Sequence, residues 1–126
     1  MAYQNIWETD GVHRCFSEEV DGRQLFSTVA AVEADERFDF IDYVINDFSC
    51  VSQFSISEDE LVKLAAIDRA AALSNSSIVL AVVAPTKEIR FWAELYGSFV
   101  AGVGYHYALF TNLEQAREWV VEMTSG

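Results

Sequence analysis

The sequence predicts an α/β domain: a mixed sheet that opens with an antiparallel hairpin, continues through parallel βαβ units and packs with about four helices. Three observations predict it. Strand-like and helix-like runs alternate along the chain from about residue 20 onward. Near the N-terminus, Asp10-Gly11 separates two short strand-like runs. The segment Ile78–Ala84 is apolar at every position, as expected of a strand buried on both faces of a covered parallel sheet.

Each element has a local reason. Tyr3–Glu8 and Val12–Ser17 flank Thr9-Asp10-Gly11, and Asp-Gly between strands favours a type I′ turn, which needs positive φ at both central residues. Asp21-Gly-Arg-Gln24 reads as a capping box opening a helix; Leu25, Val29 and Val32 recur at helical spacing, and Ala34-Asp35-Glu36 ends it. Phe40–Phe48 is rich in β-branched and aromatic residues and reads as a strand. Ser57 caps a helix that runs to about Leu73. After Ile78–Ala84, Pro85-Thr86 stops the strand and opens a helix to about Val100. A Gly102/Gly104 turn leads to a strand at Tyr105–Phe110, and Thr111-Asn-Leu-Glu114 forms a capping box for a last helix to Met123. Strands alternating with helices imply right-handed crossovers.

The 126 residues, 52% apolar and 22% charged, suit one domain spanning 1–126. The longest apolar run, Ile78–Pro85, falls well short of the roughly 18–20 residues of a membrane span. Met-Ala-Tyr-Gln-Asn carries neither basic residues nor an apolar stretch, so no signal peptide and a cytoplasmic location are expected. The net charge is −12, with fourteen acids against four bases in residues 1–63. A field of that sign repels phosphate backbones and anionic membranes, which argues against nucleic-acid binding. It serves solubility, or a basic protein partner.

The order of elements, in about this length, resembles SpoIIAA-like proteins and their STAS and STAS/Sec14 relatives. The resemblance covers most of the chain. It rests on Gly-Val-His-Arg-Cys-Phe-Ser-Glu-Glu-Val at 11–20, Val44-Ile-Asn-Asp-Phe-Ser-Cys-Val51, Leu64-Ala-Ala-Ile-Asp-Arg-Ala-Ala-Ala72, Val82-Val-Ala-Pro85 and Phe110-Thr-Asn-Leu-Glu-Gln-Ala-Arg-Glu-Trp119. None of these is a catalytic motif. In the anti-sigma-factor antagonists of that group, a strand ending in Asp is followed by a serine that a partner kinase phosphorylates at a helix start. The resemblance therefore implies Asp47 as the strand-end acid and Ser57 as a candidate regulatory phosphosite. The Asp-Ser-Ser/Ala-Gly pattern is absent, however, and Glu58, Asp59 and Glu60 make the turn strongly negative before any phosphate arrives. Ser57 and Glu60 also form a complete capping box.

Catalytic and cofactor motifs are missing. The two histidines, His13 and His106, lie in no metal-ligand spacing such as His-x-x-x-His, so neither a metal nor another cofactor is expected. Gly102-Val-Gly104 follows a helix and makes no phosphate loop; there is no Gly-x-Ser-x-Gly elbow. A Cys15–His106 dyad or an Asp47–His106 pair would need the fold to join them. Cys15 and Cys50 read as free, buried, small apolar residues. Asp47 suits either a ligand at a strand end or an Asx-turn, and Asp68-Arg69 reads as a solvated or interface edge of its helix. The chain is expected not to be an enzyme.

Seven of the seventeen aromatics fall between Phe91 and Phe110. Trp92, Tyr96 and Phe99 share one helical face, with Phe91 and Leu95 beside it. Core packing explains such a stripe. So does an exposed patch, with Phe91, Leu95 and Phe99 as a homodimer interface, or with Trp92, Tyr96 and Asp47 around a small apolar or acyl ligand. The expected function is thus a non-enzymatic interaction or regulatory domain, with ligand binding as the alternative.

Overall fold

The structure, a computed structural model, describes residues 2–101 and 105–125. The expected Gly102/Gly104 turn lies outside them. Five strands form one sheet in the order β1-β2-β3-β4-β5: β1 Ala2–Trp7, β2 Gly11–Asp21, β3 Tyr43–Ser55, β4 Val79–Val83 and β5 His106–Phe110. Only β1 and β2 are antiparallel; every other neighbouring pair is parallel. The four helices are α1 Gly22–Ala34, α2 Glu58–Ala71, α3 Lys87–Val100 and α4 Leu113–Thr124. The α/β class and the mixed sheet are as the sequence predicts.

The order explains the layers. From β2 to β5 each crossover moves one strand in the same direction, so three crossovers of one hand place their helices on one face. Side chains of α1, α2 and α3 accordingly share a single core with Val12, Phe16, Val44, Phe48, Leu80 and Val82. Its centre is the Phe16–Phe48 stack, with ring centroids 4.8 Å apart, and Phe54 meets Phe48 edge-on. The fourth helix covers the other face through Ala116 and Val120, against Ile45, Val79, Ala81 and Val83. It packs over β3, β4 and β5 and leaves the β1–β2 side of that face without a helix.

Local signals mostly set the boundaries. Asp21 and Gln24 form the expected capping box of α1, and Ser57 and Glu60 that of α2. Thr86 caps α3. Three details differ. The hairpin forms, but Asp10 keeps a negative φ, so its loop is not type I′; Gly11 matters because a Cβ there would lie 2.4 Å from the Tyr43 ring. A 3₁₀ turn at Glu36–Phe40 precedes β3, delaying the strand to Tyr43 while extending it to Ser55. Asn112, not Thr111, caps α4: its side-chain oxygen accepts from Gln115 N–H at 2.9 Å. Asn competes well for this position, and Gln115 replaces Glu114 as the third residue of the helix.

Candidate functional site

Two polar centres sit back to back on β2 and β3. Successive strand residues point to opposite faces, so Arg14 and Asn46 enter the core under α1–α3, while His13, Cys15 and Asp47 face the α4 side.

On the α1–α3 side, Arg14 is only 3% exposed and Asp68 6%. Asp68 continues the buried stripe Leu61, Leu64, Ala65 of α2 and accepts a hydrogen bond from the Tyr96 hydroxyl. The expectation of a solvated edge at Asp68 is therefore corrected: Arg14 offsets its charge inside the core. Burial pushes the Glu33 carboxyl up to about 10, and a hydrogen bond with Asp68 reinforces the shift against the pull of Arg14. Burial also raises the hydroxyls of Tyr96 and Tyr105. Arg14 Nε, Glu33 Oε1 and Asn46 Oδ1 have no hydrogen-bond partner among the described residues. Two small cavities adjoin here. One of about 20 Å³ lies among Arg14, Glu33, Asn46, Asp68 and Tyr105. The other, about 50 Å³, is lined by apolar side chains of all three helices, by Trp92 and Tyr96, and again by Asn46 and Asp68.

On the α4 side, β2 carries His13 and Cys15 two positions apart, and the parallel register sets Asp47 of β3 beside Cys15. His13 Nε2 lies 2.9 Å from Asp47 Oδ2, and Cys15 Sγ 3.2 Å from the same nitrogen. Ser49 donates its N–H, at 3.0 Å, and its hydroxyl to Asp47 Oδ1. Burial opposes ionisation of Asp47, but the bonds from Ser49 and His13 outweigh it and hold the carboxyl below its ordinary value. Asp47 thus accepts an Asx-type bond from Ser49, but inside β3 and not at the expected strand end or turn, because the strand runs on to Ser55; it also meets a histidine 34 residues away. Burial, helped by Asp47, raises the Cys15 thiol. A protonated thiol is a poor nucleophile; its sulfur lies 3.2 Å from Nε2 and 3.6 Å from Nδ1 of His13, while Asp47 takes Nε2. Arg117 of α4 closes the site. It binds Glu8 at 2.7 and 3.0 Å and approaches His13 Nδ1 at 3.3 Å. That bond from Arg117 holds the Glu8 carboxyl low. The Tyr43 hydroxyl also donates to Glu8, and burial and that bond push it up to about 12.

The other sequence candidates scatter. Asp47 lies on the opposite face from Trp92 and Tyr96, so the three do not share a pocket. His106 is exposed at the start of β5, four register positions from the row of Cys15 and Asp47, about 13 Å along the strand direction at 3.3 Å per residue. Neither pairing proposed for it forms. Cys15 is half-buried and Cys50 exposed, and both are free thiols; the expectation of burial fails at Cys50. On α3, Tyr96 is buried, Trp92, Leu95 and Phe99 are half-buried against the core, and Phe91 is 59% exposed. Ser57 is exposed at the start of α2 and shares an open groove with Trp92, rimmed by Asp21, Glu60, Glu88 and Arg23.

Two solved structures resemble this one. The unphosphorylated form of the anti-sigma factor antagonist SpoIIAA matches with a TM-score of 0.60 at 13% identity, over 96% of this chain and 98% of its own. The chain has a SpoIIAA-like fold. An uncharacterised protein of the DUF3478 family from Shewanella loihica, itself described as having a SpoIIAA-like fold, matches with a TM-score of 0.51 at 13% identity, over 94% of this chain and 92% of its own. No protein-family profile and no curated protein sequence matches. In this SpoIIAA-like domain, no helix among the described residues is long and apolar enough to cross a membrane.

The sequence reading missed the His13–Cys15–Asp47 cluster. His-x-Cys on a strand was the available signal, because alternation puts both side chains on one face. The third member depends on strand register, which no local pattern supplies.

Proposed function

We propose that the chain is a non-enzymatic, cytoplasmic interaction domain that acts as one unit and docks a basic protein segment. One observation carries this reading: Ser57 and Trp92, separate candidates in the sequence, line a single open groove at the C-terminal ends of the strands. Its volume is about 540 Å³, and three carboxylates stand around it against one guanidinium. An indole beside a ring of acids suits a basic segment carrying an apolar anchor, and the charge would speed encounter. The exposed Phe91 ring, edge-on to Trp92, extends the apolar part of the surface. A phosphate on Ser57 would break the cap of α2 and add charge to the groove rim, giving the site a means of regulation. The similarity to an anti-sigma factor antagonist supports an interaction role.

A photo-cross-linker at position 92, compared with one at the exposed Glu118 of α4, tests the proposal in a lysate of the source cell. The expected result is a discrete adduct with a basic protein from position 92 only, weakened by salt and by Glu88→Lys. An adduct with a second copy of the chain would make the surface a homodimer interface. Equal labelling from both positions, or none, would remove the groove as the docking surface.

The 50 Å³ cavity favours a second reading, a small ligand with a polar end towards Asn46 and Asp68 and an apolar body near Trp92 and Tyr96. A water needs about 10–15 Å³ of such space, so the cavity holds a few atoms and no acyl chain without opening. Short-chain acids and alcohols should raise the melting temperature and shift Trp92 fluorescence; no shift across such a panel would end this reading.

A further inference from the structure

We propose that His13, Cys15 and Asp47 form a binding site for a thiophilic divalent metal ion of the zinc class. The fold assembles the donors without help from any loop. Strand alternation aligns His13 with Cys15, and the β2–β3 register adds Asp47. One imidazole nitrogen, one sulfur and one carboxylate oxygen lie within 4.8 Å of one another. Tetrahedral zinc, with bonds of about 2.0–2.3 Å to such atoms, spaces its donors about 3.3–3.7 Å apart. The observed separations of 2.9 Å between His13 Nε2 and Asp47 Oδ2, and 3.2 Å between Cys15 Sγ and His13 Nε2, need to widen by a few tenths of an ångström, and Cys15 Sγ and Asp47, within 4.8 Å, need to draw together around the ion.

The surroundings are those of a metal site. Ser49 ties down Asp47 Oδ1 twice and leaves Oδ2 directed at the other donors, the orienting role that outer partners play around bound metals. The mixed nitrogen, sulfur and oxygen set selects zinc, cobalt or nickel over magnesium and calcium, which prefer oxygen alone. Two anionic donors, Cys15 as thiolate and Asp47, balance a divalent ion. Three protein donors leave one position open. Cys50 stands exposed opposite Ser17 in the next register row, outside the three-donor cluster, and would have to move in to serve as the fourth ligand and second thiolate; otherwise water fills the position. Binding moves the thiol proton of Cys15 to solvent and requires His13 Nε2 as a lone-pair donor, with its proton on Nδ1. Arg117, 3.3 Å from Nδ1, opposes that tautomer and so restrains affinity.

Cobalt(II) titration of the reduced full chain tests the site. The expected result is one equivalent bound, with visible d–d bands of tetrahedral intensity and a thiolate-to-cobalt charge-transfer band, all displaced by zinc. Cys15→Ser should abolish the charge-transfer band or halve it, and Cys15→Ser, His13→Gln and Asp47→Asn should each weaken binding at least tenfold. Arg117→Gln should tighten it. Circular dichroism and native melting curves without metal show whether each variant still folds, and zinc should raise the melting temperature of the wild type but not of Cys15→Ser. Stoichiometric binding that survives Cys15→Ser and His13→Gln but is lost in Cys50→Ser would place the metal elsewhere and overturn the proposal. So would the absence of both bands and melting shift in the wild type.

Discussion

The two polar centres use adjacent residues of the same two strands, yet different helices cover them. Arg14 and Asn46 enter a face covered by three helices, whereas His13, Cys15 and Asp47 enter a face that α4 covers only in part. Under the helices, charge is matched inside the core and one carboxyl keeps its proton. Beside α4, the carboxyls stay ionised through hydrogen bonds from Ser49, His13 and Arg117. One strand pair thus builds a centre enclosed in the three-helix core and a second, itself largely buried at His13 and Asp47, that meets solvent through the half-buried Cys15 and Arg117. The difference comes from helix coverage, because the residue types on the two faces are equally polar.

The largest effect should come from the sealed side. Replacing Arg14 by Leu leaves the Asp68 charge buried without its cation and should cost about 3–5 kcal/mol in urea unfolding. Adding Asp68→Asn should return part of that loss, since the stranded charge is then gone. A cost under about 1 kcal/mol for Arg14→Leu would mean that water reaches Asp68 and the two faces are not so different.

pH should separate the faces next. The carboxyl of Glu33 is raised from 4.5 to about 10, so the folded chain holds a proton that the unfolded chain releases. Its contribution is fully present below about 4.5 and is lost as pH rises towards 10. The ceiling is about 1.4 kcal/mol per pH unit; Glu33 is only half-buried, so about 1–2 kcal/mol between pH 6 and 8 is expected. Glu33→Gln should remove this slope and leave the variant more stable than wild type at pH 8. An unchanged slope would show that Glu33 does not hold the proton.

Most of the fold was legible because its signals are local. Asp21 with Gln24, and Ser57 with Glu60, specify helix starts within four residues, and β4 announces itself by seven consecutive apolar positions. The Asn112 cap shows the limit of such signals, since Thr111 and Asn112 compete one residue apart and geometry decides. Of the sites, Asp68 was readable in principle: it lies seven residues after Leu61, on the same stripe as Leu64, where a solvated residue does not belong. Its cation arrives from β2, 54 residues earlier, and no helical periodicity reports that. The His13–Cys15 pair is visible as an alternation, but Asp47 joins it only through the parallel register and Arg117 only through the packing of α4.

The smallest effect sharpens the comparison from the open side. Arg117 and Glu8 form a bidentate pair whose side chains remain 40% and 24% exposed. Partly solvated pairs of this kind contribute under about 1 kcal/mol, so Arg117→Gln should lower stability by no more than that at pH 7, several-fold less than Arg14→Leu. The pH response should also have the opposite sign to that of Glu33. Because Arg117 holds the Glu8 carboxyl below 4.5, the pair's contribution is present above that value and fades as pH falls through the lowered pKa. Wild type and Arg117→Gln should therefore differ at pH 7 and converge as pH falls below the lowered pKa of Glu8, and the difference at pH 7 should shrink in high salt. Equal losses for Arg117→Gln and Arg14→Leu would show that α4 seals its face as fully as the three helices seal theirs, and the reachable centre would have to be abandoned as a surface for chemistry.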